Sequence, residues 1–90
     1  MQIPSSLKIG GHRFKVDKSK VLQGDNGETD VGICVIRISK DLTQSQQEAT
    51  LIHELFHAIN PTLDNEHLGH ALIDSLAEQI YQILKDNKLI

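Results

Sequence analysis

The sequence predicts an α+β protein, in which a small antiparallel sheet of about three strands is followed by two packed helices, in the order β-β-β-α-α. Two observations support this prediction. Apolar and β-branched residues dominate or alternate with polar ones from Leu7 to Ser39, whereas from Thr43 onward apolar residues recur with the 3.6-residue period of a helix. A chain of 90 residues has the size of a single domain, so residues 1–90 are expected to form one unit.

The first half of the chain contains the predicted strands. The segments LKI and HRFKV flank two consecutive glycines at positions 10 and 11, a pair that is typical of a tight hairpin turn. The segment from Gln23 to Asp30 is rich in turn-forming residues and is predicted to be a polar loop. The third strand is expected in the apolar, β-branched segment from Val31 to Ser39.

The second half contains the predicted helices. Ser45 is followed three residues later by Glu48, which fits a capping box at the start of the first helix, and Asn60 and Pro61 end that helix. The second helix is expected from about Glu66 to about Asp86. Its apolar residues lie on one stripe, formed by Ile73, Leu76, Ala77, Ile80 and Leu84.

Composition and charge exclude several classes of function. The net charge of -3 and the pI near 5.9 leave no basic surface for nucleic acid or for an anionic membrane. No stretch reaches the roughly 20 apolar residues of a membrane span, and the N-terminal residues do not have the pattern of a signal peptide. Cys34 is the single cysteine, which fits a reducing compartment. A cytoplasmic protein without nucleic-acid or membrane partners is therefore expected.

The first predicted helix contains the motif H-E-x-x-H, formed by His53, Glu54 and His57. Residues four apart lie one above the other on a helix, so both imidazoles can point at one metal ion. Glu54 is displaced by about 100° around the helix axis, which places its carboxylate beside the ion, where it can act on water. The alternative is an ordinary amphipathic helix in which the two histidines are coincidental.

A catalytic zinc ion needs a third protein ligand. The start of the second predicted helix supplies four candidate side chains within nine residues: Glu66, His67, His70 and Asp74. A short connection makes the two helices antiparallel neighbours, so this start is expected to face the end of the first helix. The alternative for each of these residues is a solvated helix start.

The motif TLIHELFHAI, followed by a helix with acidic and histidine residues, resembles the gluzincin-type metallopeptidases. The similarity is greatest to very small ones from bacteriophages and bacteria, and extends more distantly to the ImmA/IrrE-like group. It includes the opening hairpin with KIGG, the strand that ends IRIS and the closing helix, and so covers nearly the whole chain. The resemblance implies a minimal zincin-like domain that binds zinc.

The resemblance also implies roles for residues of the second helix. Gluzincins take their third ligand from this helix as a glutamate, and an aspartate four residues later often orients a ligand histidine. Asp74 matches that aspartate, but the ligand position holds His70 instead of glutamate. The implied zinc ligands are therefore His53, His57 and His70, with Glu66 and His67 as alternatives for the third. Asp74 is expected to accept a hydrogen bond from the free N–H of a ligand histidine.

The implied reaction is hydrolysis of peptide bonds by a metal-activated water, with Glu54 as the general base. The strand that ends VIRIS is expected to be the sheet edge nearest the site and to pair with an extended peptide or protein substrate. Tyr81 and His67 are the side chains available to stabilise the oxyanion. If the protein is phage-encoded, its location is the cytoplasm of the bacterial host.

Two other functions compete with the peptidase hypothesis. One is a catalytically silent, zinc-stabilised binding module that acts on a phage or host protein partner, since 90 residues leave little room for a substrate cleft. The other is a helical scaffold without metal. Replacement of Glu54 by Gln separates the peptidase from the binding module, because only a peptidase loses its function while it keeps its metal.

Overall fold

A computed structural model of the chain describes residues 1–62 and 68–90. Its strands are β1 (Ser6–Ile9), β2 (His12–Asp17), β3 (Gly27–Asp30) and β4 (Val35–Ile38). Its helices are α1 (Gln44–Ile59), which continues into a 3-10 turn (Asn60–Thr62), and α2 (His70–Asp86). The α+β class and the order of strands followed by helices are confirmed. The predicted number of strands is wrong, because the structure has a sheet of four strands and not of three.

The additional strand is β3, which lies within the segment predicted to be a polar loop. Gly27 and Thr29 are half-buried, whereas Glu28 and Asp30 are exposed. The alternation of a strand is therefore present, but its inward residues are small and its outward residues are acidic. Such a composition is typical of turns, and the strand forms here because β4 and α1 cover it.

The sheet order is β1-β2-β4-β3, and β2 pairs with β4 in parallel while the other two pairs are antiparallel. The sheet is therefore mixed, and the prediction of an antiparallel sheet is wrong in this respect. After β2 the chain crosses to the far edge as β3 and then returns as the central strand β4. The segment that ends VIRIS was predicted to be a sheet edge. This prediction is wrong, because β4 lies between β2 and β3. The observed strand begins at Val35, four residues later than predicted, because residues 31–34 form the turn between β3 and β4.

The core lies between the sheet and α1. Phe14 and Val16 of β2 and Ile36 and Ile38 of β4 are buried against the apolar face of α1, which contributes Leu51. Removal of this apolar surface from water is the main force that holds α1 on the sheet. Because one face of α1 is committed to the core, its neighbouring face is directed to β3 and α2.

The start of α1 is capped, although not by the predicted residues. The Thr43 side chain accepts a hydrogen bond from the Gln46 backbone N–H at 3.2 Å, and the Gln46 side chain accepts one from the Thr43 N–H at 3.0 Å. This capping box lies two residues before the predicted pair of Ser45 and Glu48. Glu48 is instead fully buried.

Helix α2 begins at His70, after Gly69 as its N-cap. The predicted start at Glu66 lies outside the described residues. On the predicted stripe Ile73 and Ala77 are buried against α1, but Ile80 is 39% exposed, so the stripe is covered at its start and open further along. In the described ranges, no helix combines the length and apolar character that crossing a membrane requires.

Candidate functional site

The histidines of the H-E-x-x-H motif lie side by side on α1. The Nε2 atoms of His53 and His57 are 3.2 Å apart, and their ring centroids are separated by 4.9 Å. Two nitrogens that bind one tetrahedral zinc ion at about 2.0–2.1 Å lie about 3.3–3.4 Å apart. The observed separation therefore fits two ligands of a single ion.

Asp74 of α2 lies beside the first histidine. Its Oδ1 atom lies 3.4 Å from Nδ1 of His53. A carboxylate on this side favours the tautomer with the proton on Nδ1, which leaves the lone pair on Nε2. Of the two motif histidines, the one that lies next to Asp74 in the structure is therefore His53.

The surroundings of the second histidine favour its neutral form, which is the form that binds a metal. Burial lowers the pKa of His57, and the neighbouring rings of His53 and His70 lower it further. The carboxylate of Asp74 acts in the opposite direction but is the smallest of these influences. A neutral imidazole keeps a lone pair for a cation, as ligation requires.

His70 is the first residue of α2, and its ring centroid lies 5.1 Å from that of His57. The structure therefore brings all three predicted histidines together, with the ring of His57 between those of His53 and His70. In the described part of the chain, however, no three His, Cys, Asp or Glu side chains are arranged as a preformed metal site. The other candidates for the third ligand, Glu66 and His67, lie outside the described residues.

Glu54 projects from α1 toward β3 and is only 4% exposed. Its Oε1 atom accepts a hydrogen bond from the Thr29 hydroxyl at 2.7 Å, and its Oε2 atom lies 4.0 Å from Nε2 of His53. Burial raises the pKa of Glu54 above its ordinary value, although the hydrogen bond from Thr29 opposes this rise. A buried carboxylate with a raised pKa can both accept and return a proton.

Strand β3 packs against α1 beside Glu54 and supplies two residues of the candidate site that the sequence did not predict, Thr29 and Gly27. A Cβ atom at Gly27 would lie 2.5 Å from Cγ2 of Thr50 and 3.1 Å from Cγ of Glu54. Only glycine therefore allows α1 to approach β3 this closely. The alternation of small and acidic residues over Gly27–Asp30 is the sequence feature that indicates a strand here. It was not recognised because the same residues are typical of turns.

These elements enclose an open cleft of about 920 Å³. Residues 24–29, one face of α1 and the first three turns of α2 line it. His53, His57 and Glu54 belong to the α1 wall, His70 belongs to the α2 wall, and residues of the edge strand β3 form a third wall. A cleft of this volume has the size of ordinary ligand sites.

Tyr81 also lines the cleft, but its hydroxyl donates to Oε1 of the buried Glu48 at 3.0 Å. The same carboxylate contacts the α-amino group of Met1 at 2.8 Å, Nζ of Lys85 at 3.0 Å and Nε2 of Gln44 at 3.2 Å. The Tyr81 hydroxyl is thus engaged in holding α2 against α1, and not directed at the histidines. The other predicted oxyanion donor, His67, lies outside the described residues.

Comparisons with known protein families, with curated proteins and with solved structures returned no match to this chain. The resemblance to gluzincin-type metallopeptidases therefore stays a prediction that depends on the motif and layout of the sequence, and the function is proposed from the geometry of the cleft.

Proposed function

We propose that this chain is a zinc-dependent metallopeptidase, with zinc held by His53, His57 and His70 and with Glu54 as the general base. The observation that carries the proposal is the separation of 3.2 Å between Nε2 of His53 and Nε2 of His57, next to a buried glutamate in an open cleft. The alternative, an amphipathic helix with two coincidental histidines, does not explain why these features occur together.

The zinc ion, when bound, supplies Lewis acidity that activates water and polarises a carbonyl group. Glu54 removes a proton from the attacking water and returns it to the amine of the leaving product. Thr29 holds Oε1 of Glu54, which leaves Oε2 for the transfer of the proton. Asp74 keeps the His53 ring in the required tautomer.

His70 is the proposed third ligand because its ring neighbours that of His57 at 5.1 Å. Histidine in place of glutamate leaves the zinc ion with three neutral ligands, and such a site is a stronger Lewis acid. Glu66 and His67 are the alternatives. Zinc content of the His70→Ala variant distinguishes them, since a site that uses another ligand keeps its metal.

The proposed substrate is a peptide or an extended protein segment. Strand β3 pairs with β4 along one edge, no described strand pairs with its other edge, and its residues Gly27, Glu28 and Thr29 line the cleft. Backbone N–H and C=O groups on such an edge bind an extended peptide as an added strand. The pairing with substrate that was predicted for the VIRIS strand is thus proposed for β3. The proposed location of the protein is the cytoplasm, and it is the cytoplasm of the bacterial host if the protein is phage-encoded.

The experiment that tests this function compares wild type with Glu54→Gln in two measurements, zinc per chain and hydrolysis of unstructured peptides. We expect about one zinc ion in both proteins and hydrolysis by the wild type alone. Wild-type protein that does not bind zinc after reconstitution contradicts the proposed metal site, and hydrolysis that survives in Glu54→Gln contradicts the proposed base.

A second candidate is a zinc-stabilised binding module without turnover, acting on a phage or host protein. It is favoured by the Tyr81 hydroxyl, which donates to Glu48 and is therefore not available to stabilise the oxyanion of a hydrolysis reaction. In that case wild type and Glu54→Gln both bind zinc, neither hydrolyses peptides, and both retain the partner. A chain that neither binds zinc nor changes its melting temperature with a chelator is a metal-free scaffold.

A further inference from the structure

The charges of this protein are segregated with respect to the cleft. Five carboxylates line it, on Asp25, Glu28, Glu54, Asp74 and Glu78. All nine Lys and Arg residues of the chain lie in the described ranges, and none of them lines the cleft. The cleft is therefore an acidic depression on a chain whose net charge is only -3.

The carboxylates stand on both walls. Asp25 and Glu28 belong to the wall that leads into and includes β3, while Asp74 and Glu78 lie one turn apart on α2. A ligand between these walls has negative charge on either side. Low-dielectric walls concentrate such a field inside a cleft, where it selects the charge of what enters.

Three of these carboxylates are already engaged within the protein, and one of them is Glu54, which accepts the hydrogen bond from Thr29. Glu28 forms an ion pair with Arg37 at 3.1 Å, and Asp74 contacts His53 at 3.4 Å. Asp25 and Glu78 are exposed, and in the described ranges neither forms a hydrogen bond or an ion pair. One uncompensated carboxylate on each wall is thus available to a ligand.

We propose that the cleft selects basic peptides, in which Lys or Arg side chains contact Asp25 on the β3 wall and Glu78 on the α2 wall. This inference takes the cleft as the substrate site of the proposed peptidase, and it adds the chemical class of the substrate. The edge of β3 recognises the backbone of any extended peptide. The acidic walls supply the discrimination that backbone pairing lacks.

The test measures binding without turnover, in the Glu54→Gln background. Fluorescent octapeptides differ only at two positions, which carry Lys, Gln or Glu. We expect the Lys peptide to bind about tenfold more tightly than the Gln peptide, and the Glu peptide to bind most weakly. The preference for Lys should decrease between about 0.05 M and about 0.5 M salt, since these carboxylates are exposed.

Asp25→Asn with Glu78→Gln should weaken binding of the Lys peptide about fivefold and leave binding of the Gln peptide unchanged. The matched control is Asp41→Asn with Asp86→Asn, which removes the same charge from exposed residues that do not line the cleft. Melting temperatures of both double variants show whether each is folded. Equal affinity for Lys and Gln peptides, no binding of any peptide, or an equal loss in the control overturns the inference.

These outcomes are separate from those that test the proposed function. A preference for Lys peptides in a wild-type chain that binds zinc but hydrolyses nothing retains the inference and rejects the peptidase. Hydrolysis of Lys and Gln peptides at equal rates retains the peptidase and rejects the inference.

Discussion

The hydroxyl of Thr29 donates a hydrogen bond of 2.7 Å to Oε1 of Glu54, and joins the edge strand of the sheet to the glutamate of the H-E-x-x-H motif. The two residues are 25 positions apart in the chain. This bond orients the carboxylate and leaves its second oxygen toward His53. The strand that would contact a substrate is thereby the same strand that holds the proposed base.

Replacement of Thr29 by Val removes this hydrogen bond and preserves the shape of the side chain. The bond lowers the pKa of Glu54, so its loss should raise that pKa further above its ordinary value. In the proposed peptidase kcat should decrease about tenfold, and the acid limb of the pH profile should move to higher pH.

The control for this prediction is Thr29→Ser, which restores the hydroxyl and should recover most of the activity. A carbon-13 titration of the Glu54 carboxyl measures its pKa in each protein without reference to activity. An unchanged pKa in Thr29→Val would mean that the hydroxyl does not act on the carboxylate.

Loss of either motif histidine should abolish zinc binding. His53→Ala or His57→Ala leaves a site with at most two of its proposed ligands, and zinc per chain should decrease from about one to near zero. His12→Ala is the matched control, because this exposed histidine lies on β2 and away from the cleft. Elemental analysis after dialysis measures the effect, and zinc retained by both motif variants would rule out the site.

Asp74→Asn should weaken zinc binding without abolishing it. The substitution removes the negative charge that holds the proton on Nδ1 of His53. Affinity for zinc should decrease about tenfold or more, as for other residues that orient a metal-binding histidine. Competition with a chromophoric chelator measures this affinity, and an affinity equal to that of the wild type would show that Asp74 has no such role.

Gly27→Ala should destabilise the fold by about 1–3 kcal/mol, the cost of overpacking a close contact. The new Cβ atom would lie 2.5 Å from Cγ2 of Thr50 and 3.0 Å from the backbone oxygen of Arg37, so α1 and β3 must separate. Gly32→Ala is the control, because its Cβ would meet only the end of the flexible Asp30 side chain, at 3.3 Å. Urea unfolding of both variants should show the large loss for position 27 alone.

The buried Glu48 should make stability depend on acid pH. Hydrogen bonds from the α-amino group of Met1, from Lys85 and from Gln44 lower its pKa from the ordinary 4.5 to about 2. A carboxyl with a lowered pKa in the folded state stabilises the protein above its unfolded pKa. That stabilisation is lost as the pH falls from about 4.5 toward about 2.

Glu48→Gln removes this charge, so it should lower the melting temperature at neutral pH and make its decline below pH 4.5 shallower than in the wild type. Thermal unfolding followed by circular dichroism over this pH range measures both effects. Asp86→Asn is the control, because it removes one negative charge from an exposed side chain that accepts a hydrogen bond from Gln82 and does not contact Glu48. It should leave the pH dependence unchanged. Parallel curves for wild type and Glu48→Gln would contradict the prediction.

The sequence by itself determined the fold class, the two helices and the spacing of His53, Glu54 and His57. These features depend on local periodicity: four residues on a helix bring two side chains to one face, whatever the remainder of the chain does. The end of α1 before Pro61 was equally local, because proline cannot continue a helix.

Only the tertiary structure decided what surrounds the motif. The strand β3 has too little apolar character to be recognised alone, and it forms because β4 pairs with it and α1 packs on Gly27 and Thr29. The pairing of Asp74 with His53 depends on the angle at which α2 meets α1. Contacts between residues distant in the chain leave no periodic trace in the sequence, which is why the wall that holds Glu54 emerged only from the folded chain.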